Sequence, residues 1–160
     1  MADMAEETNG EINQPKKDYN REMHTAEHIL NQTMVRMFGC SRSVNTHIER
    51  KKSKCDYELA QEPEKGQITE IEQRVNEVIG RNLPVTESFV KRSEAPADVD
   101  LSKLPEDATG LLRIIKVGDY DTCACIGMHV ENTSEIGRFS VVSSDFSEGR
   151  LRIRFKLLPA

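Results

Sequence analysis

The stretch His24-Thr25-Ala26-Glu27-His28 lies inside a segment whose apolar residues recur every three or four positions. That periodicity predicts an α-helix from about Arg21 to Phe38, with Gly39 as a natural stop. Residues four apart on a helix are separated by a little over one turn, so the two imidazoles leave the same face about 6 Å apart. Both lie at the edge of the apolar stripe. This placement predicts a site at the seam between the helix and a sheet.

A second histidine motif follows much later in the chain, in the sequence Cys125-Ile126-Gly127-Met128-His129. A histidine pair alone is often an ordinary surface or core pair. Here three of the chain's four histidines and one cysteine occur in two short motifs. Thiolate and imidazole together form a donor set that suits zinc in tetrahedral geometry. We therefore predict Zn²⁺ as the cofactor, with candidate ligands His24, His28, Cys125 and His129.

Length and composition predict one soluble domain. The chain has 160 residues, of which 37% are hydrophobic, and no apolar run approaches the length of a membrane span. Residues 1–19 are acidic and poor in large apolar side chains, which predicts a disordered tail ahead of a domain at 20–160. Without the four acidic residues of the first fourteen positions, the net charge of −5 becomes nearly zero. A nucleic-acid partner is therefore not excluded.

Cysteine usage predicts a cytoplasmic protein. Four cysteines in a chain without a secretory signal are typical of thiols or metal ligands in a reducing compartment. Cys123 and Cys125 share one face if the segment is a strand, so a redox pair is an alternative. We favour metal binding for Cys125 and burial for Cys123.

The remaining periodicities predict an α+β fold, with two main helices packed on one face of a mainly antiparallel sheet. A second helix is expected from Gln67 to Arg81, and Ser93 to Pro105 is expected to be a long loop. We assign no role to the His47 side chain. Strands are predicted at Ser43–Ile48 and Ser53–Ala60, which form a hairpin, and at Val85–Val90, Leu111–Val117, Arg138–Ser143 and Arg150–Leu157.

The last predicted strand alternates cations with apolar residues. One face should pack on the core while the other presents four charges about 6.6 Å apart, close to the spacing of successive phosphates in a nucleic-acid strand. An ordinary solvated strand face is the alternative. We predict that this cation stripe contacts nucleic acid; its members are Arg150, Arg152, Arg154 and Lys156.

Four stretches together resemble the editing domain of alanyl-tRNA synthetases, and in particular the short freestanding proteins that carry this domain alone. The editing domain of threonyl-tRNA synthetase is a further relative. The resemblance covers nearly everything from Asn20 to Leu157. The matching stretches are His24 to Leu30, Arg113 to Asp121, Cys125 to Val130 and Asn132 to Gly137.

The resemblance implies a trans-editing deacylase, which hydrolyses the ester between tRNA(Ala) and a wrongly attached serine or glycine. The partner would be the aminoacylated acceptor end of tRNA. It also implies that His24, His28, Cys125 and His129 are the zinc ligands, and we take His129 and His28 as the catalytic candidates. The family pattern usually has Gly-Gly-Thr where this chain has Ile126-Gly127-Met128. Bulkier side chains there predict a narrower and less polar pocket.

Two other functions fit parts of the sequence. His24-x-x-Glu27-His28 is also the H-x-x-E-H of inverted zincin peptidases, in which the glutamate is the general base. Against this, the chain is short and that mechanism does not need the Cys125/His129 pair. In the editing interpretation Glu27 is only a polar neighbour. The stronger alternative is a zinc-stabilised RNA-binding module whose altered loop no longer hydrolyses anything.

Overall fold

The computed structural model describes residues 20–95, residue 99 and residues 111–159. The predicted tail at 1–19 and most of the predicted loop at 93–105 lie outside this part. The described residues form helices α1 (Arg21–Phe38) and α2 (Lys65–Gly80). Their strands are β1 (Asn45–His47), β2 (Ser53–Glu58), β3 (Val85–Lys91), β4 (Leu111–Val117), β5 (Asp121–Ala124), β6 (Arg138–Ser147) and β7 (Arg150–Leu158).

Helix α1 has the bounds that the sequence predicts. The Asn20 side chain accepts a hydrogen bond from the backbone N–H of Met23 at 2.8 Å, which caps the first turn. At the other end, Gly39 has a φ of +67°, a left-handed conformation that glycine adopts without a steric penalty. The helix is therefore fixed at both ends by local chemistry, which sets the rotation of its histidine face.

The strands pair into two antiparallel sheets. One sheet has the order β1-β2-β7-β6 and the other the order β3-β4-β5. The α+β class and the β1–β2 hairpin are confirmed. The sheet is divided in two, and β5 is an element that periodicity did not predict as a strand. It pairs with β4 from Ile114↔Ala124 to Val117↔Asp121, so it leads directly into the Cys125 motif.

The core lies between the helices and the sheets. Apolar side chains of both helices pack with those of the sheets in one cluster, in which the tilted rings of Phe139 and Phe155 lie 4.9 Å apart between centroids. Burial of these apolar side chains is the main source of the domain's stability. No described helix is both long and apolar enough to cross a membrane. The largest fully buried side chains include Tyr57, Phe139, Phe155, Met23, Ile29, Leu30, Met34 and Ile71.

Candidate metal centre

Four side chains converge where α1 faces the loop after β5. His24, His28, Cys125 and His129 each present one ligand atom, and these atoms all lie within 4.8 Å of one another. The three imidazole rings are 4.1 to 4.8 Å apart between centroids. We call this set the His–Cys cluster. Its three nitrogens and one sulfur form a donor set that can hold a metal ion and that suits zinc.

The backbone and a hydroxyl orient two of the imidazoles. Nδ1 of His24 lies 3.1 Å from the Met128 carbonyl, and Nδ1 of His129 lies 2.9 Å from Oγ1 of Thr25. These contacts turn each Nε2 toward the cluster, where Nε2 of His24 is 3.4 Å from the Cys125 sulfur. Nε2 of His129 is buried without a hydrogen-bond partner among the described residues. A buried ring nitrogen that has no hydrogen-bond partner and lies beside a thiol is typical of a metal ligand.

The third imidazole lies beside a buried carboxylate. Nδ1 of His28 lies 3.5 Å from Asp121, which is 2% exposed. Asp121 in turn accepts two hydrogen bonds from Arg42, at 2.7 and 3.2 Å, and one from Gln32 at 2.9 Å. Carboxylate–histidine pairs of this kind orient the histidines of metal sites. Sequence reasoning gave Asp121 no role, although it ends the Gly-Asp-Tyr-Asp stretch that precedes the cysteine motif.

These contacts shift the ionisation of the cluster. Burial opposes charge on the Cys125 thiol, but the three surrounding histidines outweigh it and lower its pKa to about 2. Burial likewise opposes protonation of His28, but Asp121 and Cys125 raise its pKa well above the usual value. The Cys125 thiol is therefore ionised before a metal ion binds. A metal ion would displace the proton from the imidazole that faces it.

The loop that carries Cys125 is fixed from the β4 side. Nη1 of Arg113 donates hydrogen bonds to the carbonyls of Cys125, at 3.0 Å, and Gly127, at 2.6 Å. Its Nε lies 3.5 Å from Glu87 on β3. Arg113 thus holds the backbone on both sides of residue 126, which positions the sulfur for the cluster.

The two unusual residues of this loop face solvent. Ile126 is 48% exposed and Met128 is 46% exposed, so neither side chain is packed between the side chains of the His–Cys cluster. Sequence reasoning expected them to narrow the pocket. Both side chains are instead about half exposed to solvent.

The cation stripe forms as the alternation predicts, with Leu151, Ile153 and Phe155 buried on the opposite face. Three of its charges are paired with carboxylates. Arg152 donates two hydrogen bonds to the buried Asp56, at 2.8 and 2.9 Å, Arg154 lies 2.9 Å from Asp145, and Arg150 lies 3.7 Å from Glu58. The stripe is therefore partly neutralised. His47, on β1, pairs with the exposed Glu49 and stands outside the cluster.

Comparison with known proteins connects this architecture to one family. The family described as the threonyl and alanyl tRNA synthetase second additional domain matches residues 112–154, which include the cysteine motif and the first three residues of the cation stripe. Alanine–tRNA ligase of Fervidobacterium nodosum is 33% identical over 150 residues, covering 92% of this chain. The enzymes of that name from Geobacillus kaustophilus and Bacillus subtilis are 34% and 31% identical, each over 81% of the chain.

The chain belongs to the family of alanyl-tRNA synthetase editing-domain-like proteins. It spans only 17% of the length of the Fervidobacterium ligase and 15% of the other two. In the part of the chain that the structure describes, the four side chains predicted from the two sequence motifs lie together in one cluster.

Proposed function

We propose that this protein is a zinc-dependent trans-editing deacylase, which hydrolyses seryl or glycyl esters of mischarged tRNA(Ala). The observation that carries the proposal is the convergence of His24, His28, Cys125 and His129, from two motifs far apart in the chain, into one cluster with the donor chemistry of a zinc site. The family membership supports the substrate class. We further propose that the protein acts in the cytoplasm, since its four cysteines are free thiols.

The chemistry needs a water and a way to polarise the ester. A zinc ion supplies this kind of activation, because it lowers the pKa of bound water to about 7 and polarises carbonyl oxygens. Four protein ligands fill a tetrahedral site, whereas catalytic zinc keeps one position open. All four residues would hold the ion; we propose that His129, on the loop after β5, would be the more weakly held ligand, whereas His28 lies against Asp121. The alternative is that the aminoacyl group would bind to the zinc ion through its amine.

The deacylation assay tests the proposal directly. We expect zinc-loaded protein to hydrolyse seryl- and glycyl-tRNA(Ala) faster than alanyl-tRNA(Ala), with serine the preferred ester because a polar pocket can recognise its hydroxyl. Release of labelled amino acid measures the rates, and protein stripped of metal is the matched control. If none of the three esters is hydrolysed above background at micromolar protein, the deacylase proposal is wrong.

One observation favours a second candidate, a zinc-stabilised RNA-binding module. The His–Cys cluster supplies four ligands, which is the composition of a closed structural site. Such a module would bind tRNA and retain zinc but would give no hydrolysis in the same assay. The H-x-x-E-H peptidase interpretation gains no support, because Cys125 and His129 complete a ligand set that it does not use.

We also propose that the cation stripe contacts the tRNA acceptor arm. Arg152 is unsuitable for a test because it pairs with the buried Asp56, so we choose the exposed Arg150 and Lys156. Changing both to serine should weaken tRNA binding and flatten the logarithmic salt slope by roughly one to two units, as expected for two lost phosphate contacts. Lys116→Ser, an exposed change on the other sheet, is the control. An unaltered slope in the double variant would leave the stripe as a solvated strand face.

A further inference from the structure

Glu27 lies on the same face of α1 as the two histidines, three residues after His24 and directly before His28. Its side chain is 9% exposed. Oε1 lies 3.8 Å from Nε2 of His24 and 3.9 Å from Nε2 of His28. These are the two ring nitrogens that face the cluster. One carboxylate oxygen therefore lies beside both of the α1 histidines that are candidate metal ligands.

The rest of the carboxylate is held in place by a buried network. Oε2 accepts hydrogen bonds from Nδ2 of Asn31, at 2.9 Å, and from Oγ1 of Thr46, at 3.3 Å. The Asn31 amide is itself fixed by the Tyr57 hydroxyl, which donates to Oδ1 at 2.6 Å. Side chains from α1, β1 and β2 thus hold Oε2 on the protein side. This leaves Oε1 directed at the cluster in one orientation.

A buried carboxylate is costly unless both oxygens meet donors or a cation. The network satisfies Oε2 with two donors. A metal ion on the imidazole nitrogens would offset part of the carboxylate charge, but those nitrogens would have no proton to donate to Oε1. A substrate that brings its own cationic donor would complete the arrangement. An aminoacyl ester carries such a group, the α-ammonium, one carbon away from the carbonyl that is hydrolysed. Charge-assisted N–H···O bonds of this type are the strong ones.

We propose that Glu27 Oε1 binds the α-ammonium of the aminoacyl group and so places the ester carbonyl beside the His–Cys cluster. The inference rests on the proposed deacylase function and adds a recognition element to it. It gives Glu27 a direct contact with substrate. It also predicts that the site selects aminoacyl groups with a free amine over acyl groups without one.

Binding of two non-hydrolysable adenosine amides tests the inference without relying on catalysis. The first is 3′-deoxy-3′-(L-serylamino)adenosine, and the second replaces its α-amino group by hydrogen. Zinc-loaded wild-type protein should bind the first roughly 10 to 100 times more tightly, the range expected for one hydrogen bond between charged groups. In Glu27→Gln the preference should disappear, because the amide can keep the Asn31 and Thr46 contacts while presenting an N–H to the cluster. Glu27→Asp should retain part of the preference.

Glu49→Gln is the matched control, since it removes an exposed carboxylate from the segment between β1 and β2 and should leave the preference unchanged. Zinc content and melting temperature verify that each variant is folded. Equal binding of the two amides by the wild type, binding of neither at millimolar concentration, or a preference that survives in Glu27→Gln would overturn the inference. Deacylation with equal binding would reject this role for Glu27 alone, whereas amine-selective binding without deacylation would reject the deacylase function and retain the ammonium site.

Discussion

Replacing Cys125 by serine should leave the purified protein without a tightly held metal ion and lower its melting temperature. The thiolate is the only sulfur in the His–Cys cluster, and a hydroxyl stays protonated at neutral pH and is a far weaker zinc ligand. Zinc binding contributes directly to the free energy of folding. We expect a loss of at least ~3 kcal/mol, which corresponds to roughly 6–12 °C for a chain of this size. Elemental analysis and thermal melts with and without chelator measure the two effects.

Cys40→Ser is the control for this change. Cys40 is a half-buried thiol whose Sγ donates to the Met34 carbonyl at 3.6 Å, beyond the C-terminal end of α1, so its replacement should keep close to one zinc per chain. The metal hypothesis would be wrong if the wild type, purified under mild conditions, contained no transition metal. It would also be wrong if chelator left the wild-type melting temperature unchanged.

The sequence predicted the parts of the site that depend on helical spacing. Because α1 is regular and capped at Asn20 and Gly39, the rotation between His24 and His28 follows from their separation alone. Their meeting with Cys125 and His129 depends on how the loop after β5 packs against α1. Spacing cannot provide that contact; the combined donor set and the resemblance to the editing domains implied it, and the structure shows the four side chains together.

Long-range contacts explain what the sequence left out. Strand β5 has four residues, Asp121–Ala124, too few for its periodicity to stand out from the adjoining turn and loop. Division of the strands into two sheets depends on which edges pair, and the local pattern is the same for one sheet or two. The partners of Arg152 and Arg154 come from neighbouring strands, so alternation along β7 predicted exposed cations without revealing the carboxylates opposite them.

Asp121 is the clearest case of a site residue that packing alone reveals. Its burial opposes ionisation, but His28 and Arg42 outweigh that cost and hold its pKa well below the usual carboxyl value. A carboxylate of this kind contributes stability that is present above the unfolded pKa of about 4 and is lost as the pH falls below it. The contribution is therefore complete at neutral pH.

Asp121→Asn should accordingly damage both metal binding and stability. The amide cannot hold the His28 ring as a carboxylate does, and loss of such a partner typically lowers metal affinity 10- to 100-fold. It also leaves the Arg42 guanidinium, which is 13% exposed, without its counter-charge; breaking a fully buried pair costs about 3–5 kcal/mol, so we expect a loss at or below the lower end of that range. Zinc titration against a competing chelator and denaturant unfolding at several pH values measure these effects. The stability difference from wild type should be full at pH 7 and shrink as the pH falls below about 4.

Asp119→Asn separates this role from a general effect of removing negative charge. Asp119 is exposed in the turn just before β5, two residues from Asp121, and its replacement should leave zinc affinity and stability close to wild type. If Asp121→Asn bound zinc as tightly as Asp119→Asn, the carboxylate would not be what positions His28. If its stability difference were the same at pH 7 and at pH 3, the ionised Asp121–Arg42 pair would not be the source of the lost stability. Zinc affinity therefore reports on the His28 contact, whereas the pH dependence reports on the ionised carboxylate that His28 and Arg42 both stabilise.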